Sequence, residues 1–379
     1  MANNRNEKIS KGAYTAAVDP PWLARVNALD AEIAKMTLEE KASLIAFTGI
    51  GHWTPNGAVT ELESDSFRAF GIYGTTNKGI DMHKAIRRLQ TAFSAPLIIS
   101  LSQEGGFVNR ISWSQSFKHL ALSLISKNGN VRAAQEAGQI TGKELKLYGV
   151  NLNFAPFLDL HSSISGRRIS ADPRLIAEYG KAYMAGLLQS GVGACAKHFP
   201  DSAPADLGDP HEKVIKYNIP QEELFVKERY QPLIDAGLPA IMMSHVIFPA
   251  VDPDNPASLS KIWITDILRQ KMGFQGLVIT DDLGMRGVSK LNRPVAEIIL
   301  TSFQAGADLI LGSPKNSQIV KNTLIAGINS GKISRERLDQ SVKRILIFSH
   351  KFPVAPPPDD KTLTRAENSL VKRAEYLYK

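Results

Sequence analysis

Between residues 96 and 313 the chain repeats one pattern: a short apolar run stops abruptly at polar or charged residues. The run 96–101 meets Ser102-Gln103-Glu104-Gly105-Gly106, 150–157 meets Asp159 and His161, and 192–196 meets Lys197-His198. Further on, 239–243 meets Ser244-His245, 277–280 meets Asp281-Asp282, and 308–311 meets Gly312-Ser313. Runs this short and this apolar suit parallel strands buried on both faces. Ionised side chains fit only at the lip where such a strand leaves the core. Helical segments separate the runs, over about 133–147, 176–189, 222–236, 263–271 and 294–305, and two more follow over 316–329 and 335–350.

The βαβα order predicts a (β/α)8 TIM-type barrel, with polar residues gathered on the C-terminal face of its strands, where such barrels carry chemistry. Seven strands are legible, beginning with 70–73, and the eighth is expected to be irregular. A doubly wound open sheet is the alternative, since it also places ligands at that face. However, no G-x-G-x-x-G follows the first strand and no P-loop occurs, which argues against a nucleotide-binding sheet. Upstream, 23–46 reads as helix, with Thr37-Leu38-Glu39-Glu40 a capping box that would divide it at Thr37. A Gly/Pro/Trp loop over 49–57 and a helix over 82–93 follow. The expected organisation is a flexible segment 1–20, one barrel over 21–351, and a tail over 352–379. That tail holds a proline-rich linker at 353–358 and a short amphipathic helix at 363–378.

A net charge of +8 makes the chain basic, but no long Lys/Arg run with interleaved aromatics appears. A mildly basic solvated surface therefore explains the charge better than nucleic-acid binding does. The lone Cys195 lies in the apolar run 192–196 and reads as a small core residue, so no disulfide framework is expected. Residues 1–11 are polar, and no apolar span reaches membrane length. The chain thus looks soluble and cytoplasmic; a periplasmic or secreted chain that had lost its leader would read the same. No His/Asp/Glu cluster has ligand spacing, so neither metal nor cofactor is expected.

Taken alone, Asp281-Asp282 reads as a strand running into a helix N-cap, and Asp209-Pro210-His211 reads as a surface turn. His198 and His245 read as hydrogen-bonded structural histidines, Asp282 as an N-cap or a partner for a backbone amide, and Asp308 as a strand-end anchor. The order of motifs shifts that balance. Met36-Thr37-Leu38-Glu39-Glu40-Lys41, Gln103-Glu104-Gly105-Gly106, Asn153-Phe154-Ala155-Pro156, Lys197-His198-Phe199-Pro200, Ser244-His245, Pro256-Ala257-Ser258-Leu259-Ser260, the stretch 273–285 and Ala305-Gly306-Ala307-Asp308 follow one another at plausible spacing. In this order they resemble glycoside hydrolase family 3, and more closely its single-domain β-N-acetylhexosaminidases, which trim N-acetylglucosamine from cell-wall (peptidoglycan) and chitin-like glycans. The likeness runs from about residue 36 to 349.

The resemblance implies a retaining exo-glycosidase acting on oligosaccharides, with Asp281 as nucleophile and His211, partnered by Asp209, as acid/base on a mobile loop. It implies that Arg110, Arg167, Lys197 and His198 grip the sugar. Ser102 and Glu104 fall in the sugar-gripping stretch, and Met285 either walls the pocket or belongs to the core. Glycoside phosphorolysis and silent carbohydrate binding are the alternatives. The chemistry suits the residue types, because a carboxylate can attack the anomeric carbon and an imidazole titrates near neutrality. Cations such as Arg167 or Lys197 would keep Asp281 ionised if close. Three departures stand out. Ser102 and Phe107 occupy positions where the family usually has Asp and Arg. The loop 201–206 lacks the usual histidine, and Arg168 is an added charge.

Overall fold

The structure is a computed structural model, and it describes residues 20–50, 67–72, 86–91, 97–111, 121–162, 166–312, 314–356 and 358–378. Eight parallel strands form one sheet: β1 Ala46–Ile50, β2 Ala69–Ile72, β3 Ile98–Leu101, β4 Leu152–Asn153, β5 Gly193–Phe199, β6 Ala240–Met243, β7 Leu277–Thr280 and β8 Ile310–Gly312. The strands pair in sequence order, and β8 pairs with β1 through Ala46↔Ile310 and Phe47↔Leu311. The last seam, between β7 and β8, is carried by the Ile279↔Leu309 bridge and by Thr280 N–H donating to the Leu309 carbonyl at 3.0 Å. The sheet therefore closes into a (β/α)8 barrel, as the alternation implied. All four residues of β2, β3, β6 and β7 are buried, because strands enclosed by side chains inside and helices outside have no solvent face.

The expected irregular eighth strand needs correction: it is the regular strand β1, within and beyond the stretch read as helix tail. Thr37 does divide that stretch. Helix Pro20–Lys35 ends before it, and Leu38–Ile45 starts on a complete Thr37/Glu40 capping box. The chain then passes straight into β1. The strand expected over 150–157 shrinks to Leu152–Asn153 plus a single Phe157↔Lys197 bridge. The helix expected over 222–236 is interrupted at Phe225, whose φ of 45° separates Gln221–Leu224 from Val226–Asp235. The segment Ile262–Lys271 winds as a π-helix. The expectations for 51–57 and for 82–85 and 92–93 lie outside the described residues.

Close packing constrains the outer ring. Helices Val131–Leu147 and Pro173–Gln189 cross where Gly138 and Gly186 face each other's backbone; a methyl group on Gly138 would sit 2.1 Å from the Tyr183 carbonyl oxygen. Helix Asp360–Tyr378 buries Leu363 and Ala374, and its Glu367 accepts a hydrogen bond from Tyr148 at the end of the first of those helices. No helix among the described residues is long and apolar enough to cross a membrane.

Asp308 pins the closing seam. It is fully buried, with Arg269 Nη2 at 2.5 Å, Arg344 Nη1 at 3.0 Å, Ser341 Oγ at 2.6 Å and the Val278 N–H at 3.0 Å. Burial pushes its carboxyl up, but the three arginines Arg344, Arg269 and Arg337 outweigh that and hold it below the ordinary range. Removing the acceptor would strand buried guanidiniums, a change that costs about 3–5 kcal/mol. Asp308→Ala is expected to lose stability on that scale, read as a lowered urea midpoint.

Candidate active site

The pocket opens at the C-terminal ends of the strands and has a volume of about 230 Å³. Its lining brings together the side chains to which the resemblance gave a catalytic or sugar-contacting place: Asp281, His211, Asp209, Ser102, Glu104, Arg110, Arg167, Lys197, His198 and Met285. Val108, Phe154, Ser202, Ala203, Pro210, Met242, Ser244 and His245 complete it among the described residues.

One wall is built on Glu104, which follows β3 in a short hairpin, Gln103–Gly105 with Val108–Asn109. Arg167 grips it with two bonds, Nε to Oε2 at 3.0 Å and Nη2 to Oε1 at 2.8 Å, and Lys197 Nζ lies 2.6 Å from Oε1. Lys197 also donates to Ser102 Oγ at 3.0 Å. Burial pushes the Glu104 carboxyl up, but Arg167 and Lys197 reverse this and bring it down to about 2. Burial likewise pulls the Lys197 ammonium down, opposed by Glu104. The forked Arg–carboxylate geometry fixes direction as well as charge.

Across the pocket, Asp281 stands at the lip of β7. Its Oδ1 accepts the Asp282 N–H at 2.9 Å and its Oδ2 lies 3.8 Å from His198 Nε2. Burial raises this carboxyl, yet the imidazoles of His198, His245 and His211, with the Asp282 N–H, hold it below the ordinary range. The expected cationic support therefore comes chiefly from histidines, because Arg167 and Lys197 are engaged by Glu104. Asp282 is pushed the other way, by burial and by Asp281 beside it. It caps the turn by accepting the Gly284 N–H at 2.7 Å. His245 is buried between Ser258 Oγ at 2.7 Å and the Asp282 carbonyl at 3.0 Å, and burial lowers its pKa. It fits the structural histidine read from the sequence.

The Asp209-Pro210-His211 turn reaches the same pocket. His211 Nδ1–H donates to Asp209 Oδ1 at 2.7 Å, and the His211 N–H donates to the same oxygen at 2.9 Å. Burial pushes Asp209 up, but these bonds hold it below the ordinary range. The turn is docked on the segment after β7: Gly287 N–H donates to the Pro210 carbonyl at 2.7 Å and Arg286 N–H to the His211 carbonyl at 3.4 Å. The His211 side chain remains 66% exposed, so water can reach it.

Two buried carboxylates of this region had no site role assigned from sequence. Asp159, fully buried, accepts from the His198 N–H at 2.5 Å, from His198 Nδ1–H at 2.8 Å and from Ser202 Oγ. Asp201, also fully buried, accepts from Leu160 N–H at 2.9 Å and from His161 Nδ1–H at 3.0 Å. Together they tie the start of the 201–211 loop to residues 159–161 of the loop after β4. The available signal was position, since Asp159 sits two residues past an apolar run. Among the described residues, no group of His, Cys, Asp and Glu could hold a metal ion.

Residues 35–348 match the family model of the glycosyl hydrolase family 3 N-terminal domain. A beta-hexosaminidase of Thiobacillus denitrificans (strain ATCC 25259 / T1) is 35% identical over 233 residues, which cover 58% of this chain and 63% of that protein, somewhat under two thirds of its length. The solved structure of a glycoside hydrolase family 3 beta-N-acetylglucosaminidase from Paenibacillus sp. str. FPU-7 aligns with a TM-score of 0.77 at 30% identity, over 90% of this chain and 69% of that one. A beta-glucoside phosphorylase bound to 2FGlc aligns with a TM-score of 0.83 at 23% identity, over 97% of this chain and 69% of that one, a likeness of fold.

Glu104 makes the pocket's stability depend on pH. Its folded-state carboxyl titrates near 2 against an ordinary value of 4.5. A depressed acid stabilises the fold fully above its unfolded pKa, and that contribution is lost as pH falls through the folded value. Glu104→Gln is therefore expected to be less stable by on the order of 3 kcal/mol at neutral pH. Denaturant titrations at stepped pH should show a constant gap down to about pH 4.5, narrowing toward pH 2.

Proposed function

Because the chain belongs to glycosyl hydrolase family 3, we propose that it is a retaining, exo-acting hydrolase. In this reading it removes terminal β-linked N-acetylglucosamine, or a closely related sugar, from glycans. The observation that carries the reading is the meeting of an ionised Asp281 and an Asp209–His211 pair in one pocket, on a turn hydrogen-bonded to the segment after Asp281. The beta-hexosaminidase and beta-N-acetylglucosaminidase relatives supply the sugar.

The first step begins with Asp281 attacking the anomeric carbon while the bond to the leaving oxygen breaks. His211, as imidazolium, gives its Nε2 proton to that oxygen. Asp209 Oδ1 accepts the hydrogen bond from Nδ1–H, which stays on the ring throughout; this fixes the tautomer and stabilises the charged form. In the second step, neutral His211 takes a proton from water, the hydroxyl adds to the anomeric carbon, and the ester bond to Asp281 breaks. Retention follows from two inversions. The exposed turn suits this double duty, because water must enter between the steps. Glu104, Lys197, Arg167, Arg110, Ser102 and His198 offer donors and acceptors for sugar hydroxyls, and Met285 offers an apolar contact.

The distribution of charge supports the assignment. Glu104 engages both cations of one wall, so Asp281 stays ionised without a tight ion pair that would blunt it as a nucleophile.

Wild type, Asp281→Ala and His211→Ala should be assayed on an aryl β-N-acetylglucosaminide beside an aryl β-glucoside, with and without phosphate. The acetamido sugar should be turned over faster, and at a rate independent of phosphate. Asp281→Ala should lose about 10⁴-fold or more in kcat, and His211→Ala about 10²–10⁴-fold. Failure of wild type to turn over either sugar, or a strict need for phosphate, would contradict the hydrolase reading.

A further inference from the structure

His198, near the end of β5, has a carboxylate at each ring nitrogen. Asp159 Oδ2 lies 2.8 Å from Nδ1, and Asp281 Oδ2 lies 3.8 Å from Nε2. His198 and Asp281 both line the pocket, whereas Asp159 is fully buried and outside the lining. The two chemical steps draw on Asp281 and leave Asp159 without a part.

Backbone pairing brings the buried carboxylate to the ring. Leu158 N–H donates to the Lys197 carbonyl at 2.7 Å, which sets the next residue, Asp159, beside His198. Asp159 Oδ1 then accepts the His198 N–H at 2.5 Å, and Oδ2 accepts Nδ1–H and the Ser202 hydroxyl. The Phe157 ring meets the imidazole edge to face, with centroids 5.8 Å apart and planes at 83°. A carboxylate has only lone pairs to offer, so Nδ1 must carry a hydrogen, and Nε2 is the nitrogen left for the pocket. Among the described residues, His198 is also the only basic side chain within 4.0 Å of Asp159. Turning the ring away would leave a buried charge without its one basic partner, which is costly.

The other charged groups around His198 and Asp281 are engaged elsewhere. Lys197 and Arg167 hold Glu104, Asp201 holds His161, and His211 holds Asp209. His245 lies between Ser258 and the Asp282 carbonyl, and the Asp282 carboxylate takes the Gly284 N–H. Nδ1 is therefore left to Asp159.

Resting on the reading of Asp281 as the nucleophile of a hexosaminidase, we propose that Asp159 is a positioning residue for the reaction: through Nδ1 it fixes the tautomer and tilt of His198, so that Nε2 is presented to Asp281 and to the sugar bound beside it. Asp159 acts only through the imidazole. A ring without that partner can turn about its side-chain bonds or carry its proton at Nε2 instead, and either change alters what Asp281 and a sugar hydroxyl meet.

Two measurements test this. The first is nitrogen-15 NMR of histidine-labelled protein, recorded where the ring is neutral, with the His198 signals identified by their loss in His198→Gln. Wild type should carry the ring proton at Nδ1 and Asp159→Asn at Nε2. The new amide must keep its oxygen for the His198 N–H, so it turns its own N–H groups toward Nδ1. The second is a double-mutant cycle on an aryl β-N-acetylglucosaminide. Asp159→Asn should lower kcat/KM about 10–100-fold. Its acidic limb should move to higher pH, because His198 no longer helps to hold the Asp281 carboxyl down. In a His198→Gln background the same change should cost about twofold or less, since a residue that acts through another adds nothing once that other is gone. Thermal midpoints check that the variants fold, and the wild-type spectrum decides the geometry even if Asp159→Asn does not. A wild-type ring protonated at Nε2, or an equal loss from Asp159→Asn in both backgrounds, would overturn the proposal. If wild type hydrolyses no N-acetylglucosaminide, the hexosaminidase reading fails and the positioning role falls with it, while the spectra still report whether Asp159 sets the ring.

Discussion

The carboxylate of Glu104, shared between Arg167 and Lys197, organises the pocket. It joins the ends of three neighbouring strands: Glu104 follows β3, Arg167 lies in the loop after β4, and Lys197 belongs to β5. None of these charges could be buried alone, because desolvation of an unpaired ion costs more than the fold can supply. Paired, they form a rigid polar wall that presents Ser102 and leaves Asp281, on the far side, under the influence of histidines. The arrangement keeps the two sides distinct: Arg167 and Lys197 are engaged by Glu104 on one wall, and the Asp281 carboxylate stands apart from them on the other.

The barrel was legible because burial on both faces leaves a strong mark on a strand, and because ionised residues can appear only at its lip. Leu277–Thr280 coincides with β7 residue for residue. The strand β1 was not legible. Its residues, Ala-Phe-Thr-Gly-Ile, continue the apolar character of the helix before them with no proline or glycine at the junction, and only pairing with β2 and β8 makes them extended. The strand at Leu152–Asn153 was overread for the opposite reason. The apolar run continues past it, and Phe154 and Ala155 remain buried with single backbone bonds to Leu101 and Cys195, but regular pairing ends at Asn153. Asp209-Pro210-His211 shows the limit of local reading most clearly. It is a turn, as its residues suggest, and only its docking on Arg286 and Gly287 gives it a place at the pocket.

The departures from the family pattern also have structural accounts. Ser102, where the family usually has Asp, accepts from Lys197 and leaves that ammonium to Glu104 alone. In the 201–206 loop, Asp201 and Ser202 tie the segment to Leu160, His161 and Asp159, so the loop is anchored without the usual histidine. Through Asp159 the same contacts orient His198, whose other nitrogen faces Asp281. The changes therefore fall on the Glu104 wall and on the anchoring of the loop, while Asp281 and the Asp209–His211 pair still meet in the pocket. That pattern fits an enzyme with altered sugar contacts better than a protein that only binds.

The central claim is that Asp281 forms a covalent bond to the sugar. It is tested most directly by incubating the protein with a fluorinated N-acetylglucosaminyl donor that slows the second step, then mapping the added mass by peptide mass spectrometry. The account predicts one sugar per chain, attached to the peptide that contains Asp281, and no labelling in Asp281→Ala. Turnover of an N-acetylglucosaminide without any trapped sugar, or a sugar attached to another residue, would contradict it.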